Sequence, residues 1–215
     1  IIEDVIVGCA NPEGEQGLQI GRLIAARALG KEVPGITINR YCASGLESIS
    51  MAVGKIKAGF GHIYIAGGVE SMSMIPMTGY KLAPSYKANL ENLNYHVSMG
   101  ATAEAVADKY KITRDMSDEF AVNSHAKAAL AIDSNKFENE IVPVTVDEVF
   151  VQDGKKITKS HVVSKDEGVR RDTSMEGLAR LRPAFRLKGV VTAGNASQLS
   201  DGAAFTLIMS EKMVK

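Results

Sequence analysis

The stretch Ile36-Thr37-Ile38-Asn39-Arg40-Tyr41-Cys42-Ala43-Ser44-Gly45-Leu46 passes from a β-branched run, through a short polar turn, into a helical pattern. Residues 36–38 read as a short strand that ends at Asn39. Beyond the turn, Leu46, Ile49, Val53 and Ile56 recur at helical spacing and lay one apolar stripe along a helix. Gly59 and Gly61 stop that helix, and residues 63–66 form another apolar strand. Upstream, residues 4–10 are apolar and β-branched, Asn11-Pro12-Glu13-Gly14 supplies a turn, and Ile20, Leu23, Ile24 and Ala28 repeat at helical spacing. Gly30 ends that helix, and Pro34-Gly35 leads back to the starting stretch. Strands this apolar on both faces, joined by helices, predict a largely parallel sheet covered on both sides.

From Gly67 to about Lys188 the pattern loosens, as in a long excursion from the sheet. Within it, residues 102–110 and 115–132 read as helices, the second capped by Thr113. Residues 141–151 and 157–163 read as two strands flanking Asp153-Gly154, a hairpin turn signal. The sheet pattern returns with Val190-Val191-Thr192, a polar turn at Ser200-Asp201-Gly202 and an apolar strand over residues 203–209. No repeats or low-complexity segments interrupt the chain.

The 215 residues, 45% hydrophobic and 23% charged, suffice for one large domain or two small ones. Lys plus Arg and Asp plus Glu balance at 25 each, so no net field gathers nucleic acid or an anionic membrane, and any anion site is local. No apolar run approaches the roughly 20 residues of a membrane span. Cys9 and Cys42 show no paired spacing, which argues against a disulfide framework or a metal site and for a reducing compartment such as the cytoplasm. The chain opens at Ile1, not methionine, so a targeting signal of a longer parent would lie out of view.

Cys42 is the candidate nucleophile. It sits between a strand end and a helix start, where unpaired backbone N–H groups and the helix dipole favour a thiolate and can hold a developing oxyanion. Ala43, Ser44 and Gly45 leave room for a flat acyl thioester to approach the sulfur. Cys9, within Val5-Ile6-Val7-Gly8-Cys9-Ala10, reads instead as a small apolar residue on a buried strand. His62, His125 and His161 show no ligand spacing and read as surface or helix-end residues, and His96, three positions before Met99-Gly100, has a place near an acyl pocket as its other reading but is not counted among the site residues.

The run Asn39-Arg40-Tyr41-Cys42-Ala43-Ser44-Gly45-Leu46 closely resembles the nucleophile motif of thiolases. Four further blocks resemble the family in the same order: Ala66-Gly67-Gly68-Val69-Glu70-Ser71-Met72-Ser73; Met99-Gly100-Ala101-Thr102-Ala103-Glu104; Leu181-Arg182-Pro183-Ala184-Phe185; and Thr192-Ala193-Gly194-Asn195-Ala196-Ser197 with Asp201-Gly202-Ala203-Ala204. The resemblance spans essentially the whole chain. It implies an α/β fold, a thiolase-like doubly wound mixed sheet forming the N-terminal half, with an inserted α+β loop domain that covers coenzyme A. The core would comprise residues 1–70 and 189–215, the loop domain residues 71–188, and the C-terminal thiolase domain would be absent from this chain.

By resemblance, Cys42 attacks the carbonyl of a 3-ketoacyl-CoA, its own backbone N–H donating to the oxyanion. Acetyl-CoA then leaves, and free coenzyme A takes the acyl group from the sulfur. A covalent thioester divides one hard carbon–carbon cleavage into two acyl transfers. Coenzyme A is thus a co-substrate, and no covalently bound cofactor or metal is implied. Ser197 would meet the pantetheine arm, and Ala193, Ala184, Phe185 and Met99 would line the channel. Arg170 matches an arginine near the adenine nucleotide, where a guanidinium stacks on the base or pairs with phosphate; the other reading is a solvated arginine beside Arg171. Phe185 has a plain core aromatic as its other reading. Gly177 departs from the many members that carry a CoA-contacting serine there. Partners implied are acyl-CoA substrates and further copies of the chain in a homodimer or homotetramer, with no nucleic acid and no membrane.

The family's Gly-His-Pro histidine, its second cysteine before a glycine cluster and its oxyanion-site asparagine have no counterpart here, since Gly61-His62 is followed by isoleucine. The resemblance therefore describes a chain truncated at both ends and inactive by itself. The expected activity of the parent is thiolysis of the fatty acid β-oxidation type. An acetoacetyl-CoA biosynthetic thiolase, an inactive fragment or thiolase-like lipid-binding protein, and more distantly a ketoacyl synthase, are the competing readings. Acetoacetyl-specific members usually carry a histidine directly before the Met-Gly pair, where this chain has Val97-Ser98, which favours medium or long acyl chains.

Overall fold

A computed structural model describes residues 2–214. They fall into two compact units, Ile1–Lys87 with Leu199–Lys215, and Ala88–Gln198. The compact units meet at 87/88 and 198/199, and the domain limits implied by the resemblance are 70/71 and 188/189. Ile1 and Lys215, the outer limits of the core segments read from sequence, lie outside the described residues.

Unit 1 is built on a four-stranded mixed sheet. Strands β1 (Asp4–Gly8), β2 (Gly35–Ile38) and β3 (Ile63–Ser71) alternate with helices α1 (Ile20–Ala28) and α2 (Ser44–Lys57). The order is β2-β1-β3-β6, with β1 parallel to both neighbours and β6 (Asp201–Met209) antiparallel to β3. Period-two alternation divides the core. Ile6 packs with Ala52 of α2, Tyr64 and Ala66 on one face of β1, and Val5 and Val7 pack with Ala25 of α1 on the other. A strand apolar on both faces thus becomes the covered centre of the sheet. Ile6 is fully buried, so Ile6→Ala is expected to cost about 2–5 kcal/mol, read as a lowered urea midpoint.

Two strand expectations are corrected. β3 runs through Gly67 and Gly68 to Ser71, because β6 lies against it: a Cβ on Gly67 would stand 2.1 Å from the Ala204 carbonyl oxygen. Asp201 and Gly202 are the first residues of β6 and not a turn, since the Asp201 carboxylate accepts from the Ser73 N–H at 2.9 Å and from its hydroxyl. That clamp, joined by Ser71 and Met72, holds the Asp201 carboxyl below its ordinary pKa.

Helix α3 (Tyr86–Glu91) runs across the boundary into unit 2, where a 3-10 turn at Leu93–His96 precedes helices α4 (Met99–Tyr110) and α5 (Arg114–Asp133). Thr113 caps α5, its hydroxyl accepting from the Met116 N–H. Strands β4 (Val144–Gln152) and β5 (Lys155–Val163) form an antiparallel hairpin. Asp153 (φ 52°) and Gly154 (φ 73°) both take left-handed conformations in its turn, as a two-residue loop of this twist demands. A short helix, α6 (Met175–Ala179), precedes an irregular segment, and α7 (Glu211–Val214) follows β6 in unit 1. Residues 190–192, expected as a strand of the sheet, lie in unit 2, and only Thr192 makes a bridge, to Pro183. The N–H groups of Val190 and Val191 are taken by the Glu104 carboxylate, which replaces a strand partner.

Candidate active site

Cys42 lies two residues before the first residue of α2, exposed to solvent. The turn that presents it is held by its own motif. The Ser44 hydroxyl accepts from the Arg40 N–H at 2.8 Å and donates to the Tyr41 carbonyl at 2.6 Å. Asn39 accepts from the Tyr41 N–H at 2.8 Å, and its amide donates to the Ala10 carbonyl at 2.9 Å, tying the turn to the end of β1. Arg40 is held by Glu47 of α2 at 2.9 Å. Tyr41 at φ 48° occupies the left-handed region, costly for a bulky side chain and sustained only where surrounding bonds over-determine it. Asn39 and Ser44 supply those bonds, and sequence reading had credited Ser44 only with being small. The signal was available, since an Asn two residues before the strained position is the ordinary side-chain mimic of a backbone turn.

Glycines set the height of this turn above the sheet. A Cβ on Gly8 would meet the Ser44 carbonyl carbon at 2.5 Å, so only glycine lets α2 begin directly over the end of β1. Gly45, in contrast, has open space where its Cβ would be. Among the described residues no acceptor takes the backbone N–H of Cys42 or Gly45. An exposed thiol beside free N–H donors at a helix start can add to a carbonyl carbon and hold the oxyanion that results.

Cys9 contrasts on every count. It is buried beside Glu70, and burial, with the Glu70 charge second, pushes its thiol up to about 11. Glu70 accepts from the Ala10 N–H and the Gln16 amide, both at 2.7 Å, so it is occupied in fixing the loop after β1. At pH 8 a thiol with that pKa is roughly one part in a thousand thiolate. Iodoacetamide at pH 8 is expected to label Cys42 alone in the folded protein and both cysteines after denaturation, as mass mapping would show.

In unit 2 the structure gathers most of the remaining candidates. The Phe185 ring lies against the start of α4, where a Cβ on Gly100 would stand 2.3 Å from it, so Met99 and Phe185 share one place. Ala184 donates its N–H to the Val191 carbonyl at 2.9 Å, joining this segment to the loop that carries Ala193. Phe185 is half exposed and is therefore not a plain core aromatic. Arg182, Arg186 and Lys188 surround Ala184 and Phe185 in an open concavity of about 450 Å³. Ser197 is exposed, with one long bond to the Gln198 carbonyl, and Gly168, near Arg170, lies against the Gln198 side chain. Arg170 bonds through its backbone N–H to His125 at 3.1 Å, and its guanidinium has no ion-pair partner among the described residues, whereas Arg171 pairs with Asp133 at 2.7 Å. Sequence reading missed Glu104 and Asp118, two carboxylates buried in this unit.

The chain is thus an α/β protein with an exposed thiol at a helix start on a mixed sheet, and a second unit that carries apolar and cationic surface. The model of the family "Thiolase, N-terminal domain" matches residues 1–212, and the chain belongs to that family. The 3-ketoacyl-CoA thiolase of Bacillus subtilis is 50% identical over 98% of this chain and 54% of its own length. A Staphylococcus aureus protein named "Probable acetyl-CoA acyltransferase" is 42% identical over 100% of this chain and 56% of its own. The crystal structure of the Bacillus anthracis acetyl-CoA acetyltransferase matches with a TM-score of 0.80 and 37% identity, over 99% of this chain and 55% of that one. The chain thus spans about half the length of these relatives. Among the described residues no helix is long and apolar enough to cross a membrane, and no group of three His, Cys, Asp or Glu could hold a metal ion.

Proposed function

We propose that the protein containing this chain transfers acyl groups between 3-ketoacyl-CoA and coenzyme A, in the degradative direction, in the cytoplasm and as a homodimer or homotetramer. The observation that carries this reading is the exposed Cys42 beside free N–H donors, in a chain of the thiolase N-terminal family. The Cys42 thiolate adds to the C3 carbonyl, the C2–C3 bond breaks, and the departing acetyl-CoA carbanion takes a proton. The thiolate of coenzyme A then adds to the thioester carbonyl, releasing the shortened acyl-CoA and restoring Cys42. The proton-transfer groups of the family have no counterpart among these residues, so this chain supplies the nucleophile and the oxyanion donor. Unit 2 is the inserted loop domain and supplies the coenzyme A contacts at Met99, Arg170, Ala184, Phe185, Ala193 and Ser197. Incubating the full-length protein with acetyl-CoA and mapping the adduct tests the assignment. Acetyl on Cys42 is expected, and acetyl on Cys9 with Cys42 unmodified overturns it.

The preference for medium or long chains rests on the position before Met99. Ser98 is the cap of α4, its hydroxyl accepting from the Ala101 N–H at 3.3 Å, so no imidazole stands there. The specificity constant kcat/KM for a ten-carbon 3-ketoacyl-CoA is expected to exceed that for acetoacetyl-CoA. A strong preference for the four-carbon substrate sinks the idea.

A further inference from the structure

Glu104 of α4 and Asp118 of α5 are almost wholly buried in unit 2, and the chemistry above uses neither. Buried carboxylates carry a large desolvation cost, and apolar replacements are often as stable, so their partners indicate what they do. Glu104 accepts from the Val190 N–H at 3.1 Å and the Val191 N–H at 2.9 Å, one bond to each oxygen, with Arg186 3.2 Å away. The chain passes so close that a Cβ on Gly189 would stand 2.2 Å from the carboxylate. Asp118 accepts from Arg114 at 2.7 Å and from the Asn195 amide at 2.8 Å. Asn195 spans the loop from inside, donating to the Val190 carbonyl at 2.9 Å and accepting from the Thr192 N–H at 2.7 Å. Two helices thus grip one irregular loop at both ends, leaving Ala193 between the grips and Ser197 just beyond the second, both exposed. Apart from the Ala184–Val191 bond the loop has no strand partner, and its shape depends on side chains.

We propose that Glu104 and Asp118 are positioning residues that fix the 190–197 loop in the shape that receives the pantetheine arm of coenzyme A, an inference that rests on the reading of Ser197 and Ala193 as contacts to that arm. In Glu104→Gln, one oxygen becomes an N–H donor facing backbone N–H groups, so the loop loses one anchor without losing side-chain volume.

The test uses the full-length protein, with coenzyme A titrated calorimetrically into Glu104→Gln, Ser197→Ala and the double variant. Each single change is expected to raise Kd about tenfold, the scale of loss a displaced binding group causes. The double variant is expected to fall well short of the product, because both changes act through one loop. A purely structural role would lower the melting temperature and leave Kd alone. In Glu104→Gln the KM for coenzyme A is expected to rise while kcat and the iodoacetamide rate of Cys42 stay within about threefold, since the scaffold of the thiol is untouched. A folded Glu104→Gln protein with Kd within twofold of the parent, beside a weakened Ser197→Ala, overturns the inference and leaves the contact reading standing. A Ser197→Ala protein that binds as tightly as the parent overturns the contact reading, and the inference with it. If Glu104→Gln does not fold by circular dichroism, Asp118→Ala carries the same test, because it removes the acceptor toward Asn195 and with it the second anchor of the loop.

Discussion

Cys42→Ala is expected to lower kcat by at least about 10⁴-fold for cleavage of a 3-ketoacyl-CoA, the scale seen when a covalent nucleophile is deleted. The other thiol of this chain cannot replace it. Cys9 is buried, and its proton is held to about pH 11, so it offers neither access nor a useful thiolate fraction. Coenzyme A affinity is expected to stay within about twofold of the parent, because every assigned contact lies between residues 99 and 197 of unit 2. Turnover and calorimetric Kd, measured on one preparation, separate the two effects. Residual turnover within tenfold of the parent would show that Cys42 is not the acyl carrier.

Much of this was legible in the chain because the informative signals are local. The alternation around Ile6 and the stripe along α2 are short-range patterns, and the Asp153-Gly154 turn declares its hairpin within two residues. The strand, turn and helix that present Cys42 were legible for the same reason, since they are contiguous. What could not be read was whatever depended on a partner far along the chain. Gly67 and Gly68 resembled a strand end, and pairing with β1 on one side and with β6, more than 130 residues later, on the other makes them strand interior. Asp201 resembled a turn residue until its carboxylate met Ser73. Val190-Val191-Thr192 has the composition of a strand, but the Glu104 carboxylate, not a neighbouring backbone, takes its first two donors. Glu104 and Asp118 look like surface positions of helices, and nothing in their spacing shows that a loop closes over them.

The dependence of the thiol's geometry on the sheet is exposed by Gly8→Ala. The new Cβ would stand 2.5 Å from the Ser44 carbonyl carbon and 2.7 Å from both its Cβ and its carbonyl oxygen. These atoms belong to the first residue of α2 and cannot swing aside as the end of a flexible side chain would, so the helix start must lift. Overpacking of this kind costs about 1–3 kcal/mol, read as a lowered urea midpoint. Lifting Ser44 also breaks the bonds from its hydroxyl that hold Arg40 and Tyr41, and with them the left-handed conformation at Tyr41 that aims the next residue. A displacement near 1 Å at a reacting atom is worth about 10²-fold, so kcat is expected to fall by about that factor. Coenzyme A affinity and alkylation of Cys42 by a small reagent should change little, because the thiol remains exposed. Gly54→Ala, farther along the same helix, is the control. Its Cβ meets nothing within 4 Å, and alanine there should stabilise the helix by about 0.5–1 kcal/mol without touching kcat. A Gly8→Ala protein with kcat within twofold of the parent would show that the height of α2 above β1 does not set the reactivity of Cys42.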